Sequence, residues 1–302
     1  MRRIYALGEY IIDFLNDGVC SFKAQPGGAP ANVAVCVSLL GGESSLITTL
    51  GDDIFKDFLL NVLKETGVDT THVSLINKKN MLAFVNLNEE NDRIFDFYQT
   101  DTANQYLNLE CVSKIDFKND ILHFCTVSLK NENNVKTHLE AINLVKKNRG
   151  IISFDPNLRF NLWEDFRRLK DISLKFIRYA NIIKLSKEEL LFLTAAKNER
   201  DAVQTIWHDE LTIVFVTKGK DGVSIYTKDR YSTVIGKKVS VLDTTGAGDA
   251  FIGSVLYQIQ TTNVELSEIS FEKWIEITNF ANEKAALSTT ANGAISAYRK
   301  VF

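Results

Sequence analysis

The 302 residues predict an α/β fold: a central, mainly parallel sheet flanked by helices, with a small extra β-sheet standing outside it. Three observations lead there. Short apolar runs ending in glycine or polar residues alternate with longer segments whose apolar positions recur at helical spacing. One stretch, 81–98, breaks this alternation with two strand-like runs around a polar turn. Finally, polar residues gather just after several of the apolar runs, where an open parallel sheet collects its ligands.

Ile4 to Leu7, ending at Gly8, reads as a buried first strand, and Ile11 to Leu15 as a second, interrupted by Asp13. That carboxylate suits either a strand end facing water or a cleft where it accepts hydrogen bonds from hydroxyls. Gly27-Gly28 makes a tight turn and Pro30 fits the first turn of a helix that runs to about Leu40, with Val33, Val37 and Leu40 inward, before Gly41-Gly42 stop it. Asn32, in that first turn, is either a ligand for a sugar hydroxyl or a cap. Ser45 to Leu50 is strand-like, Gly51-Asp52-Asp53 a turn, and Ile54 to Thr66 a helix with Ile54, Phe58 and Val62 on one face.

Leu82 to Leu87, the polar turn Glu89-Glu90-Asn91-Asp92, and Arg93 to Tyr98 with Phe95 and Phe97 form a hairpin. With about Glu9 to Lys23 it makes a small projecting sheet, a lid. The main rhythm resumes with a strand at Ile121 to Cys125, a helix from about Asn133 to Lys147 and a strand at Ile151 to Phe154 that runs into Asp155-Pro156-Asn157-Leu158-Arg159. Ile182 to Leu185 ends in Ser186-Lys187-Glu188-Glu189, and Ile213 to Val216 in Thr217-Lys218-Gly219. Two further strands, Gly222 to Tyr226 and Tyr231 to Ile235, precede helices from about Asp249 to Ile259 and Phe271 to Leu287.

Composition narrows the function. A net charge of -3 with no run of mixed basic and aromatic residues argues against nucleic acid as a partner. No stretch reaches the ~18 apolar residues of a spanning helix, so no membrane is expected. Cys20, Cys36, Cys111 and Cys125 are widely spaced and read as buried or half-buried thiols in a reducing, cytoplasmic setting. His72, His123, His138 and His208 lack metal-ligand spacing. A Walker-type phosphate loop is missing, and Gly246-x-Gly248 meets Phe251 where a dinucleotide fingerprint needs its third glycine.

The chemistry is placed in Leu242 to Phe251. Gly246 and Gly248 allow backbone N–H groups to converge on one anion, and Asp249 falls in the first turn of the following helix. Donors for phosphate oxygens beside a carboxylate base are what phosphoryl transfer to a hydroxyl requires. By itself the stretch reads more readily as a glycine turn capped by Asp249.

Asp243-Thr244-Thr245-Gly246-Ala247-Gly248-Asp249-Ala250-Phe251, together with Gly27-Gly28-Ala29-Pro30-Ala31-Asn32 through Leu39-Leu40-Gly41, resembles the two signatures of the ribokinase/PfkB family of sugar kinases. The likeness extends along nearly the whole chain. It is nearest to the fructokinase branch through Gly8-Glu9 followed by Asp13, Ala83-Phe84-Val85, Phe154 to Arg159 with Leu162-Trp163, and Lys184 to Glu189. The resemblance implies one ribokinase-like kinase domain over 1–302, with a lid from about 9–23 and 81–101. It implies ATP-dependent phosphorylation of the primary hydroxyl of a ketohexose, fructose giving fructose 6-phosphate. The rival substrate is 2-keto-3-deoxygluconate or another furanose-type sugar; the rival class is a catalytically silent sugar-binding regulator.

Residue by residue, the same resemblance implies Asp249 as the catalytic base and the N–H groups of Gly246, Ala247 and Gly248 as the anion hole. Asp13, Gly27, Gly28, Asn32, Phe97 and Arg159 would hold the sugar. Lys184, Glu189, Lys218, Gly219 and Asn282 would serve the nucleotide, with Glu189 organising Mg²⁺ through water. Asp243 and Thr245, with 288–297, would hold a monovalent cation, K⁺. The chain departs from the branch at Gln99, which follows Phe97-Tyr98 where arginine is usual, and at Lys56 where glycine is common. A hairpin sheet too thin to bury both its faces leads to the expectation of a homodimer formed through the lid.

Overall fold

The computed structural model describes residues 2–87, 93–262 and 264–302. The expected turn at Glu89 to Asp92 lies outside them. Among the described residues the strands are β1 (Ile4–Leu7), β2 (Ile11–Gly18), β3 (Ser21–Gly27), β4 (Ser44–Gly51), β5 (Val73–Ile76), β6 (Leu82–Leu87), β7 (Arg93–Tyr98), β8 (Ile121–Cys125), β9 (Ile151–Asp155), β10 (Ile182–Ser186), β11 (Ile213–Thr217), β12 (Val223–Tyr226) and β13 (Tyr231–Val234). The helices are α1 (Ala29–Leu39), α2 (Lys56–Glu65), α3 (Leu109–Ser113), α4 (Glu132–Lys147), α5 (Phe166–Ile177), α6 (Lys187–Thr194), α7 (Glu199–Ile206), α8 (Ala247–Thr262), α9 (Phe271–Ser288) and α10 (Ile295–Val301).

Nine strands form one sheet in the order β13-β12-β11-β10-β9-β8-β1-β4-β5. From β11 to β5 all pairs are parallel, and β12 and β13 close one edge as an antiparallel hairpin. The chain leaves β1 toward β4 and β5, then returns to β8 on the other side of β1. That reversal opens a crevice at the C-terminal ends of β1 and β8, the usual ligand position in such sheets. Alternate strand residues feed two cores: Leu122, Phe124 and Phe154 pack with α4 to α7, while Ile121, Ile151 and Phe215 pack with α1, α8 and α9. Both faces are covered, which is why the strands read as unbroken apolar runs.

A second sheet, β3-β2-β6-β7, stands apart from the first. It is antiparallel except for β2 beside β6, which run parallel. One face carries Asp13, Ala83, Phe95 and Phe97. Its opposite face carries an aromatic cluster, in which Phe84 stacks on Phe14 at 5.0 Å and meets Phe22 and Tyr98 edge-on at 5.2 and 5.3 Å.

Several local expectations change. The second helix starts at Lys56, so Ile54 lies in the preceding turn and is 88% exposed; Leu59, Val62 and Leu63 form the buried face in place of Ile54 and Phe58. α1 is buried on all sides from Ala29 to Val37, because it packs between the sheet and α8; Leu40 is only half-buried. Cys20 is exposed, at a turn with φ 53°, and all four cysteines are free. His123 and His138 are core residues that burial keeps neutral, with pKa values pushed down to about 3 and about 4. No helix among the described residues is long and apolar enough to cross a membrane.

Candidate active site

The crevice predicted by the strand order is lined by Glu9 after β1, Val127 after β8, and Asn157 and Arg159 after β9. Asp13, Phe95 and Phe97 from the small sheet cover it, and Gly28, Asn32, Gly246 and Asp249 close its far wall. Six segments distant in sequence thus meet in one cavity. Bare backbone makes this possible: a Cβ on Gly27 would lie 2.2 Å from Asp13 Oδ2, so the carboxylate occupies the space a side chain would need.

Asp249 is buried in the first turn of α8, where its Oδ2 accepts a hydrogen bond from Asn32 Nδ2 at 2.8 Å. Burial pushes its pKa up, while the Asn32 amide and the charges of Lys184 and Arg159 pull it down. Asn32 therefore holds the carboxylate, and its Oδ1 is buried without a partner. Gly246 sits at φ 76°, with Ala294 Cβ and Tyr298 Oη each 2.5 Å from where its Cβ would be, so only glycine fits this turn. Tyr298 Oη donates to Gly246 O at 2.5 Å and fixes the turn from α10. The Ala247 N–H already bonds Thr244 O at 3.2 Å, whereas Gly246 and Gly248 line the cleft.

That cleft continues past Asp249 along Lys184, Ser186, Glu188 and Glu189. Lys184 Nζ would lie 2.7 Å from a Cβ on Gly248, so its ammonium reaches the helix N-terminus. It donates to Asp155 Oδ2 at 2.8 Å. Burial alone would lower its pKa, but the Asp155, Glu189 and Asp249 carboxylates overcome this and keep it charged. Glu189 Oε1 accepts the Leu158 N–H and Oε2 the Ser186 N–H, both at 2.8 Å, while Ser186 Oγ accepts the Glu189 N–H at 3.1 Å. This reciprocal cap fixes the carboxylate at the start of α6 and still presents it to the cleft.

Asp243 is buried, with Oδ1 accepting from Thr245 N and Oδ2 from Gly293 N, both at 2.7 Å; beside it Thr245 Oγ1 is buried without a partner. Lys218 turns away from the cleft: its Nζ donates to Ser224 Oγ at 2.6 Å and lies 3.9 Å from Glu199. Gly219 begins the turn after β11, and Asn282 Nδ2 donates to Ile235 O at 2.8 Å, pinning the end of the β13 hairpin to α9. None of these three lines the cavity around Asp249.

Two polar cavity residues escaped sequence reading as site residues. Glu9 is 3% exposed, accepts Ser128 Oγ at 2.7 Å, and is pushed up to about 7 by burial. Asn157 sits at φ 42° and lines both the cavity and the cleft. A glutamate directly after an apolar strand was the available signal for the first; Asn157 gave none beyond its place after β9. Gln99 does not line the cavity. Arg159 does, with its guanidinium 5.6 Å from the Phe95 ring centre.

The model of the pfkB family carbohydrate kinases matches residues 1–300. The chain belongs to that family. A probable chloroplastic fructokinase-6 of Arabidopsis thaliana is 38% identical over 309 residues, covering 97% of this chain and 79% of that protein. Among solved structures, a fructokinase double mutant of Vibrio cholerae O395, with fructose, ADP and potassium bound, superposes with a TM-score of 0.91 at 32% identity, covering 99% of this chain and 95% of the other. A fructokinase of Xylella fastidiosa with bound ATP gives 0.90 at 31% identity, over 98% and 94% of the two chains. This pfkB-family chain therefore shares the ribokinase-like architecture, with its mostly parallel sheet and its separate small sheet, throughout its length.

Proposed function

We propose that this chain transfers the γ-phosphoryl group of ATP to the primary hydroxyl of fructose, giving fructose 6-phosphate. One observation carries the reading: Asp249, a buried carboxylate at a helix start, shares one cavity with Asp13 and Arg159 in a family whose solved relatives hold fructose with ADP. Asp249 takes the proton of the hydroxyl as it attacks. Burial makes it a stronger base than an exposed aspartate, and the Asn32 amide keeps it ionised and aimed. The N–H groups of Gly246 and Gly248, around the start of α8, face the transferred group, and the Lys184 ammonium beside Gly248 offsets its charge. Gly219, the backbone of Lys218 and Asn282 border the nucleotide further out.

The small sheet acts as a lid within one kinase domain spanning the chain. Phe95 and Phe97 stack at 5.7 Å over the sugar and keep out water, the competing acceptor. When bound, magnesium neutralises charge on the triphosphate; Glu189 would hold it through water, since each carboxylate oxygen accepts one backbone N–H and keeps lone pairs for a water donor. Asp243 and the unpartnered Thr245 hydroxyl fit a monovalent cation beside the anion hole. Four free thiols suit a reducing compartment, the cytoplasm.

Charge in the cavity favours a neutral sugar over a sugar acid. Asp13 and Asp249 face one cation, Arg159, and Glu9 adds further negative charge as it ionises near pH 7, so the carboxylate of 2-keto-3-deoxygluconate would enter a negative site. The test is ADP release with ATP and Mg²⁺ across fructose, tagatose, ribose, 2-keto-3-deoxygluconate and nucleosides. Fructose is expected to give the highest kcat/KM. Faster turnover of the sugar acid would reverse the substrate, and silence with every sugar would leave a regulatory sugar-binding protein. The aromatic outer face around Phe84, with Tyr98 58% exposed, supports pairing of two lids in a homodimer. Sedimentation is expected to show a dimer that Phe84→Lys dissociates; a monomeric native chain would refute the pairing.

A further inference from the structure

A second cavity system lies behind the phosphate cleft, at the β12–β13 edge of the large sheet. Tyr226 and Tyr231 stack there at 5.8 Å with an interplanar angle of 17°, and with Trp207 they give an aromatic wall to a pocket that Gln204, Lys228, Asp229 and Arg230 also line. This pocket opens into a groove bearing Lys187, Lys197 and Lys218, and Arg200 lines both parts with its guanidinium 5.5 Å from the Tyr231 ring centre. Glu199, the acidic residue of the groove, is already engaged: Tyr226 Oη donates to it at 2.6 Å, and Lys218 lies 3.9 Å away. Among the described residues no ion pair engages Lys187, Lys197 or Arg200. An aromatic slot beside an uncompensated basic groove is complementary to a molecule with a planar ring at one end and an anion at the other.

We propose that this groove binds a nucleoside monophosphate as a ligand separate from the nucleotide that donates the phosphoryl group. The ring enters between Trp207 and the tyrosine pair, Arg200 spans the junction, and the phosphate lies on Lys197 and Lys187. Two elements connect this groove with the catalytic cleft. Lys187 begins α6, whose next residues Glu188 and Glu189 line the cleft, and Lys218 precedes Gly219 at the end of β11. Occupancy of the groove is thereby coupled to the start of α6, and the ligand and ATP should alter one another's affinity reciprocally.

The test uses the full chain with its catalytic cleft saturated by ADP, Mg²⁺ and fructose, so that AMP added afterwards reads the second site alone. Calorimetry is expected to show one further AMP per chain, with a change in Trp207 fluorescence. Arg200→Ala and Lys197→Ala should each weaken this binding about tenfold or more while leaving kcat without AMP unchanged. Inorganic phosphate should bind at least tenfold more weakly than AMP, because it cannot fill the aromatic slot. The proposal is overturned if no further AMP binds, if phosphate binds equally well, or if AMP binding is the same in both variants. Since binding is measured directly, these outcomes do not depend on which sugar is phosphorylated.

Discussion

The two walls of the catalytic cavity are built differently. On the α8 side, Asp249, Asn32, Lys184 and Asp155 are all buried and joined in two pairs, Asn32 with Asp249 and Lys184 with Asp155, by hydrogen bonds of 2.8 Å, and the Gly246 turn is fixed by Tyr298. On the side of the small sheet, the walls are Phe95 and Phe97, half-buried rings on its outermost strand β7, tied to the main body where Asn161 Nδ2 donates to Phe95 O at 2.7 Å. Groups that must be placed within fractions of an ångström sit on the buried core, and the rings that cover the pocket sit on a separate, thinner sheet. Damage to the first wall should therefore reduce turnover, and damage to the second should reduce capture of substrate.

The sharpest way to break this contrast is Asp249→Asn, which keeps shape and removes the base. Turnover should fall by about 10²–10⁴, with sugar binding by calorimetry nearly unchanged. Comparable loss of both would mean that Asp249 holds the sugar instead. Gly246→Ala should come next: the added methyl meets Ala294 and Tyr298 at 2.5 Å, so the N–H groups move and kcat drops by about 10²-fold with a smaller change in the KM for sugar.

A pH profile probes the same wall more finely. Asp249 must be ionised to accept a proton, and burial raises its pKa, so activity should be lost on acidification at a higher pH than an exposed aspartate would give. Asn32→Ala removes a hydrogen bond that stabilises the charged form, and the acid limb of kcat/KM should move further upward. A limb that stays put in Asn32→Ala but disappears in Glu9→Gln would assign it to Glu9, whose own pKa burial pushes up to about 7. The smallest effect belongs to the other wall: Phe97→Ala should raise the KM for sugar several-fold, change kcat little, and increase ATP hydrolysis without sugar transfer.

Much of the architecture was legible without coordinates, because a parallel sheet covered on both faces writes its strands as apolar runs. β1, β4, β8 to β13, and helices α1, α4, α8 and α9 all fall where their runs predict. α5 and α7 escaped because charged residues occupy most of their surface, and α10 because it follows an irregular loop. At the site, the residue types around Gly246 to Asp249 announce phosphoryl transfer only alongside the second glycine motif, since either alone is an ordinary capped turn.

What the sequence determined by itself was therefore local: periodicity set the strands and helices, and the spacing of Gly246, Gly248 and Asp249 set a carboxylate at a helix start. What only the tertiary structure decided was partnership. Asn32 and Asp249 are 217 residues apart, and Lys184 pairs with Asp155 across neighbouring strands, so burial, charge state and hydrogen bonding in the cavity arise only when β1, β8, β9 and α8 come together. The physical reason is range: backbone propensity acts over a few residues, whereas desolvation and charge pairing depend on whatever the fold brings within a few ångströms.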